Sequence, residues 1–221
     1  MKHFTYKTIK SSITLLLLVS CSNEWIPSGE RVVDSFVNRI ELTRAEQIVS
    51  ARDLDFGIDI FKDITKIEGT DKDMLLSPFC ASLAFSMLSA GANGKTREQI
   101  INGLGFKGLE YADMASYYKK LSFGMVSADD KAALSLANAI WAECKLKDDY
   151  VSEVRESYNS EVSFLSFSDT EKAAGAINNW TKDKTHEMIK EIVKPYDLLG
   201  TAAVLENALY FNSEWQYKDW V

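Results

Sequence analysis

The sequence predicts an α+β domain, and three observations carry that expectation. Apolar residues recur at helical spacing behind capping residues, a second kind of segment alternates apolar with small residues as covered strands do, and short punctuation joins the two without an internal linker. The 221 residues are 46% hydrophobic and 26% charged, enough for one sizeable core, and no segment is repetitive or of low complexity. A net charge of −7 argues against a nucleic-acid partner.

The elements follow in order. Lys2, Lys7 and Lys10 form a basic start, Ile13–Val19 is an apolar run too short to span a bilayer, and Leu18-Val19-Ser20-Cys21 fits a bacterial lipoprotein cleavage box. On that reading residues 1–20 are a signal peptide, Cys21 carries the lipid, and residues 21–42 tether the domain to the cell envelope, surface-exposed or extracellular. A plain secretory signal with an incidental cysteine is the alternative, and both export the protein.

Leu42-Thr43-Arg44-Ala45-Glu46 opens a helix that places Phe56, Ile60, Ile64 and Ile67 on one inward face, and Glu68-Gly69-Thr70-Asp71 closes it. Met74-Leu75-Leu76 reads as a short buried strand. Ser77 stands as an N-cap before Pro78, whose missing N–H costs nothing at the first helical position. Phe79, Leu83, Met87 and Leu88, with Ala84 and Ala90, predict a helix buried on nearly all sides, and Gly91 a left-handed stop. After Asn93-Gly94, Thr96 and Gln99 fit a capping box for a short helix ending near Gly103-Leu104-Gly105. Tyr111–Met125 predicts an amphipathic helix, Ala133–Ala142 a strand covered on both faces, Asp148–Asn159 a helix, and Thr201–Phe211 a central strand.

Residues for catalysis are scarce. The histidines are His3 in the signal region and His186 near a helix end, so a Ser-His-Asp or Cys-His site in the mature domain has only His186, which reads most simply as a surface residue. GANGKT lacks phosphate-loop spacing, no cysteine or histidine cluster has metal-ligand spacing, and Asp129-Asp130 and Asp148-Asp149 read as turn and helix-start residues. Neither an enzyme nor a cofactor is expected. Besides Cys21, Cys80 and Cys144 are expected as core thiols.

The stretch Ser77–Ile100, SPFCASLAFSMLSAGANGKTREQI, resembles the second and third helices of the serpin family, with its SP start, ML-x-x-GA and G-x-T-x-x-Q-I in that order. LSLANAIWAE, ending at Glu143, looks like the second strand of that family's sheet A. VSFLSFSDTEKAAGAINNWTKDKT (162–185) looks like its first strand and long overlying helix, and ENALYFNSEW (206–215) is similar to its N-A-x-Y-F-x-x-x-W strand. The resemblance runs over residues 43–220. It implies the N-terminal part of a serpin fold over residues 43–221, with helices A to F, strands 1 to 3 of sheet A and the first strand of sheet B. The C-terminal part is expected to be missing, because the chain stops at Trp220-Val221.

What the resemblance implies for function is inhibition of serine or cysteine proteases by suicide trapping. An exposed reactive-centre loop is cleaved as bait and inserts into sheet A while still acylated to the protease. The loop would belong to the missing part, so the chain is expected to be inactive alone, with the target protease as partner of the complete protein and the membrane as a second partner through the lipid. A non-inhibitory binding or structural module that keeps the core is the alternative. Ser77, Cys80 and Asn207 match the shutter beneath the centre of sheet A, and Trp215 matches the tryptophan at the breach. Cys80 replaces the usual second serine and is a weaker hydrogen-bond partner. Glu187 replaces a glycine in the turn after the long helix, and Glu206 takes a normally apolar position where an unpaired buried carboxylate is costly. Lys107, Lys119 and Lys120 lie where some serpins bind polyanionic glycans, although a solvated face is the simpler reading.

Overall fold

The structure is a computed structural model that describes residues 39–213 except 70, 72 and 129–131. The signal peptide, Cys21, most of the tether and Trp215 lie outside the described residues. In chain order the elements are α1 (Arg44–Glu68), α2 (Pro78–Gly91), α3 (Gly94–Gly103), α4 (Tyr111–Gly124), β1 (Ala132–Ala142), α5 (Asp148–Tyr158), β2 (Ser160–Phe164), α6 (Thr170–Lys184) and β3 (Ala203–Ser213).

The sheet has the order β2-β1-β3, with β2 parallel and β3 antiparallel to the central β1. Because successive side chains alternate between faces, β1 sends two sets of residues to two different cores. Leu134, Leu136 and Ile140, with Val162, Leu205 and Leu209, join Val49, Leu83, Met87, Met114, Tyr118 and Tyr158 under the helices that precede β2. Ala137, Ala139 and Trp141, with Val204 and Ala208, meet α6 through Trp180, Ile177 and their neighbours. The fold is therefore three layers, with α6 and the segments around Phe167 and Leu198 above the sheet and the helical core below it.

Local capping sets several helix starts. Thr43 and Glu46 form a reciprocal capping box, the Thr43 N–H donating to Glu46 Oε2 at 2.7 Å and the Glu46 N–H to Thr43 Oγ1 at 3.3 Å. Ser77 caps α2 with Pro78 in the first turn, as expected. The face of α1 follows expectation in part. Its buried residues are Glu46, Val49, Asp53 and Gly57, the expected Phe56, Ile60 and Ile64 are half-buried on the same face, and Ile67 is 79% exposed. At Gly57 the helix comes close to α2, where an added Cβ would lie 3.0 Å from Pro78 Cβ. Two carboxylates enter the core with it. Glu46 receives Lys120 Nζ at 2.6 Å and Ser116 Oγ at 2.6 Å, and Asp53 receives the hydroxyls of Tyr117 at 3.3 Å and Tyr118 at 3.1 Å. Burial works against the Glu46 anion, yet the hydrogen bonds from Lys120, Ser116 and Thr43 outweigh it and hold its pKa at about 2.

Five other expectations are corrected. Met74–Leu76 is not a strand, no described strand runs beside it, and Leu75 is 71% exposed. Helix α2 is not buried all round, since Phe85 and Leu88 are exposed. Gly91 is an ordinary helical residue; its hydrogen makes room for the Tyr150 ring, which an added Cβ would meet at 3.0 Å. Arg97 caps α2 instead, with Nε 3.1 Å from Ser89 O and 2.8 Å from Ala92 O and Nη2 3.2 Å from Ala90 O. Helix α3 starts at Gly94 behind Asn93 rather than at Thr96. Cys144 is exposed just past the end of β1, whereas Cys80 is partly buried and burial pushes its thiol pKa up.

Beyond α6 the chain turns in a left-handed cap. The His186 N–H donates to Asp183 O at 3.2 Å and the Glu187 N–H to Lys182 O at 2.7 Å, the paired bonds of a Schellman motif. His186 and Glu187 have φ of 49° and 64°, so Glu187 stands where a residue without Cβ is favoured. His186 is exposed, as expected, with its ring centroid 4.3 Å from that of Tyr210. Glu187→Gly removes a left-handed strain of about 1–2 kcal/mol and adds about 0.5–1 kcal/mol of chain entropy to the unfolded state. The variant is expected to melt about 2 °C higher by calorimetry; an equal or lower melting temperature contradicts this account.

Candidate functional site

The centre of the sheet holds polar residues that a covered strand tolerates only when they are satisfied. Asn138 of β1 and Asn207 of β3 are direct antiparallel partners and share the face toward α2. Asn138 is 1% exposed. Its Nδ2 donates to Tyr158 O at 2.7 Å, and its Oδ1 accepts from Asn207 Nδ2. Tyr158 ends α5, and its hydroxyl lies 2.8 Å from Ser86 Oγ on α2. Asparagine therefore ties β3 to β1 and β1 to α5, and the tyrosine ties α5 to α2. Asn207 Oδ1 is buried without a hydrogen-bond partner.

Ser77 and Cys80 meet at the start of α2. Ser77 Oγ donates to Cys80 Sγ at 3.0 Å and accepts from the Cys80 N–H at 3.4 Å. Helix α2 packs on β3, but Asn207 hydrogen-bonds Asn138 and neither Ser77 nor Cys80. Of the expected site residues, Ser77 and Cys80 are thus brought together, Asn207 belongs to a second cluster, and Trp215 is outside the described residues. Sequence reading missed Asn138, Tyr158 and Ser86. An asparagine inside the apolar run of β1 was a usable signal for the first, whereas nothing local marks the other two.

The opposite face corrects the expectation for Glu206. Its side chain is 4% exposed but not unpaired. Oε2 accepts from Trp141 Nε1 at 2.9 Å, and Oε1 hydrogen-bonds with Thr181 Oγ1 of α6. Burial pushes its pKa up against those two bonds.

Open clefts offer less chemistry. One, of 540 Å³, lies between α1 and the end of α3 beside Arg52, Phe56, Asp59 and Gly105; another, of 480 Å³, holds Glu143, Cys144, Phe167 and Thr201. Neither contains a histidine beside a nucleophile. Among the described residues no cluster of His, Cys, Asp or Glu fits a metal ion, and no helix is long and apolar enough to cross a membrane. Of the three lysines noted above, Lys120 is engaged by Glu46 and by Glu41 O at 3.0 Å, and Lys107 and Lys119 are exposed.

A family model described as Serpin (serine protease inhibitor) matches residues 51–219. The chain is 32% identical over 175 residues to a serpin-like protein of Methanosarcina acetivorans, covering 77% of this chain and 41% of that one. It is 29% identical over 151 residues to neuroserpin of Mus musculus, covering 67% and 37%. Among solved structures, cleaved kallistatin complexed with heparin matches with a TM-score of 0.70 and 25% identity over 77% of this chain and 51% of that chain. The chain spans about two fifths of the length of these curated relatives.

Truncating Asn138 leaves the buried Asn207 amide and the Tyr158 carbonyl each short of a partner. Asn138→Ala is expected to lower the unfolding free energy by about 2–3 kcal/mol, against about 1 kcal/mol for Asn207→Ala, where an unpaired oxygen leaves with the side chain. Urea titration measures both, and equal losses would show that Asn138 is not the hub.

Proposed function

The chain belongs to the serpin family, and from that membership we propose that it supplies the central sheet of a serine or cysteine protease inhibitor that works by suicide trapping. The observation that carries the reading is the family match over residues 51–219, on a chain whose β3 has β1 on one edge and no strand on the other among the described residues. An edge strand presents unpaired N–H and C=O groups, so an extended segment is able to add beside it. A fold that leaves such a place open gains hydrogen bonds and burial only after the bait is cut and inserted, which makes trapping downhill. In this reading the protein is a protease's partner and not an enzyme.

The bait belongs to the part of the relatives' length that this chain does not match. The Asn138–Asn207 and Ser77–Cys80 clusters lie toward α2, where they loosen or hold as the sheet opens. Export is the companion proposal, with the lipid on Cys21 and residues 21–42 as tether to the cell envelope; the Leu18–Cys21 box supports it.

Two experiments test these readings separately. Cells that make the protein are challenged with a panel of serine and cysteine proteases and probed with an antibody raised against residues 39–213. An SDS-resistant band heavier by the mass of the protease is expected, whereas the purified 221-residue chain is expected to give none. An antigen unshifted by every protease favours the non-inhibitory binding module. Independently, growth on labelled palmitate is expected to label the wild type and leave Cys21→Ser unlabelled; label on both places the lipid elsewhere.

A further inference from the structure

Helix α6 rests on the sheet through two carboxylates of different character. In register, Glu161 of β2 and Glu206 of β3 both lie opposite Ala139 of β1, so the two acids flank one small residue on the same face. The Trp180 ring of α6 packs on Ala139 and Ala208. It stands perpendicular to the Trp141 ring, centroids 6.3 Å apart. On the β2 side Trp180 Nε1 donates to Glu161 Oε2 at 3.0 Å, and Lys184 Nζ reaches Glu161 Oε1 at 2.7 Å. That anchor is an ion pair, its carboxylate half exposed.

On the β3 side no cation among the described residues meets Glu206. Glu206 meets two neutral groups, Trp141 Nε1 and Thr181 Oγ1. The charged and titratable groups brought to this face by α6, the turn after it and the other strands are Lys184, Lys182, Glu187, His186 and Glu161. Lys184 is paired with Glu161, Lys182 lies 3.4 Å from Glu187, and His186 lies against Tyr210. The Thr181 hydroxyl carries one proton and lies within reach of two acceptors, Glu206 Oε1 and Ile177 O, the latter at 3.1 Å and four residues back in α6. Both contacts are hydrogen bonds at once when the carboxyl brings a proton of its own and the hydroxyl turns to Ile177 O.

We propose that Glu206 is a neutral carboxylic acid that donates its proton to Thr181 and latches α6 to the sheet, and that the latch releases when alkaline solution removes the proton. The anion would be buried with Trp141 and Thr181 as its donors and without a described counter-ion, and the least costly way to hydrate it is to lift α6, which supplies the Thr181 and Trp180 side chains over that part of the face. The direction of the pH effect follows from burial. A folded state that holds the proton more tightly than the unfolded chain has its full contribution below the ordinary glutamate value and loses it as the pH rises through the raised folded value. Between the ordinary glutamate value and the raised folded value the folded-to-unfolded ratio falls up to tenfold per pH unit from this one group, and above the raised value it levels off. The inference rests on the packing of α6 and stands whether or not the protein traps proteases.

Glu206→Gln keeps the shape, accepts from Trp141 through its oxygen and donates to Thr181 through its amide, so it is a latch that does not titrate. Hydrogen exchange of peptides covering residues 170–185, corrected for intrinsic rates, is compared from mildly acidic to alkaline pH. The wild-type helix is expected to lose protection as the pH rises, by up to tenfold per unit, while Glu206→Gln stays protected throughout. The same alkaline loss in both proteins, or loss of protection in Glu206→Gln at neutral pH, overturns the proposal. If the variant does not fold, carbon-13 spectra of the wild type labelled at glutamate carboxyls decide. One carboxyl titrating well above the others is expected, and titration of all of them in the ordinary range overturns the proposal.

Discussion

Everything in this fold is arranged around the enclosed half of one strand. β1 is hydrogen-bonded to β3 along its whole length and to β2 over Asn138–Ala142, where it is also packed on both faces. Small residues appear where α6 presses down, larger aliphatics where the helical core rises, and the asparagine in its middle survives because β3 and the end of α5 satisfy it. A strand so enclosed fixes the register of its partners, because a slip of one residue would turn Asn138 toward α6 and Trp141 toward the helical core.

The two faces then behave as different materials. Below the sheet, buried polar groups are linked from element to element, from Asn207 to Asn138, from Asn138 to Tyr158 and from Tyr158 to Ser86. Moving one strand there disturbs several partners at once. Above the sheet, α6 lies on alanines and two indole rings and is tethered by carboxylates near its C-terminal half. Such a layer separates from the sheet with fewer hydrogen bonds lost, as the proposed insertion of a further strand would require.

What was legible in the sequence were the features decided within a turn or two of chain. Thr43 with Glu46 and Ser77 with Pro78 mark their helices correctly, and β1, α4 and α5 fall within about a residue of expectation because the periodicity of the chain is clear there. Tertiary contacts defeated the other readings. Gly91 resembles a stop, but Arg97 from the next helix does the capping and the glycine serves Tyr150. The apolar stripe of α1 holds at Phe56, Ile60 and Ile64 and fails at Ile67, in the last turn, which is exposed. Ser77, Cys80 and Asn207 were singled out by resemblance, yet their neighbours were not, because only strand pairing places Asn138 opposite Asn207. Glu206 stood out as a misplaced charge, and the hydroxyl and indole that accommodate it come from elements that the sequence does not bring together.

Ala139 has a mechanical consequence. Its single methyl, between two longer acidic side chains in the same row, leaves a notch in the upper surface of the sheet, and the Trp180 indole occupies it. A helix on a smooth face is free to creep along its axis, but this one is keyed: a shift of one turn, about 5.4 Å, would drive the indole out of the notch and against its neighbours. The helix accordingly has two positions, seated or raised, and no sliding series between them.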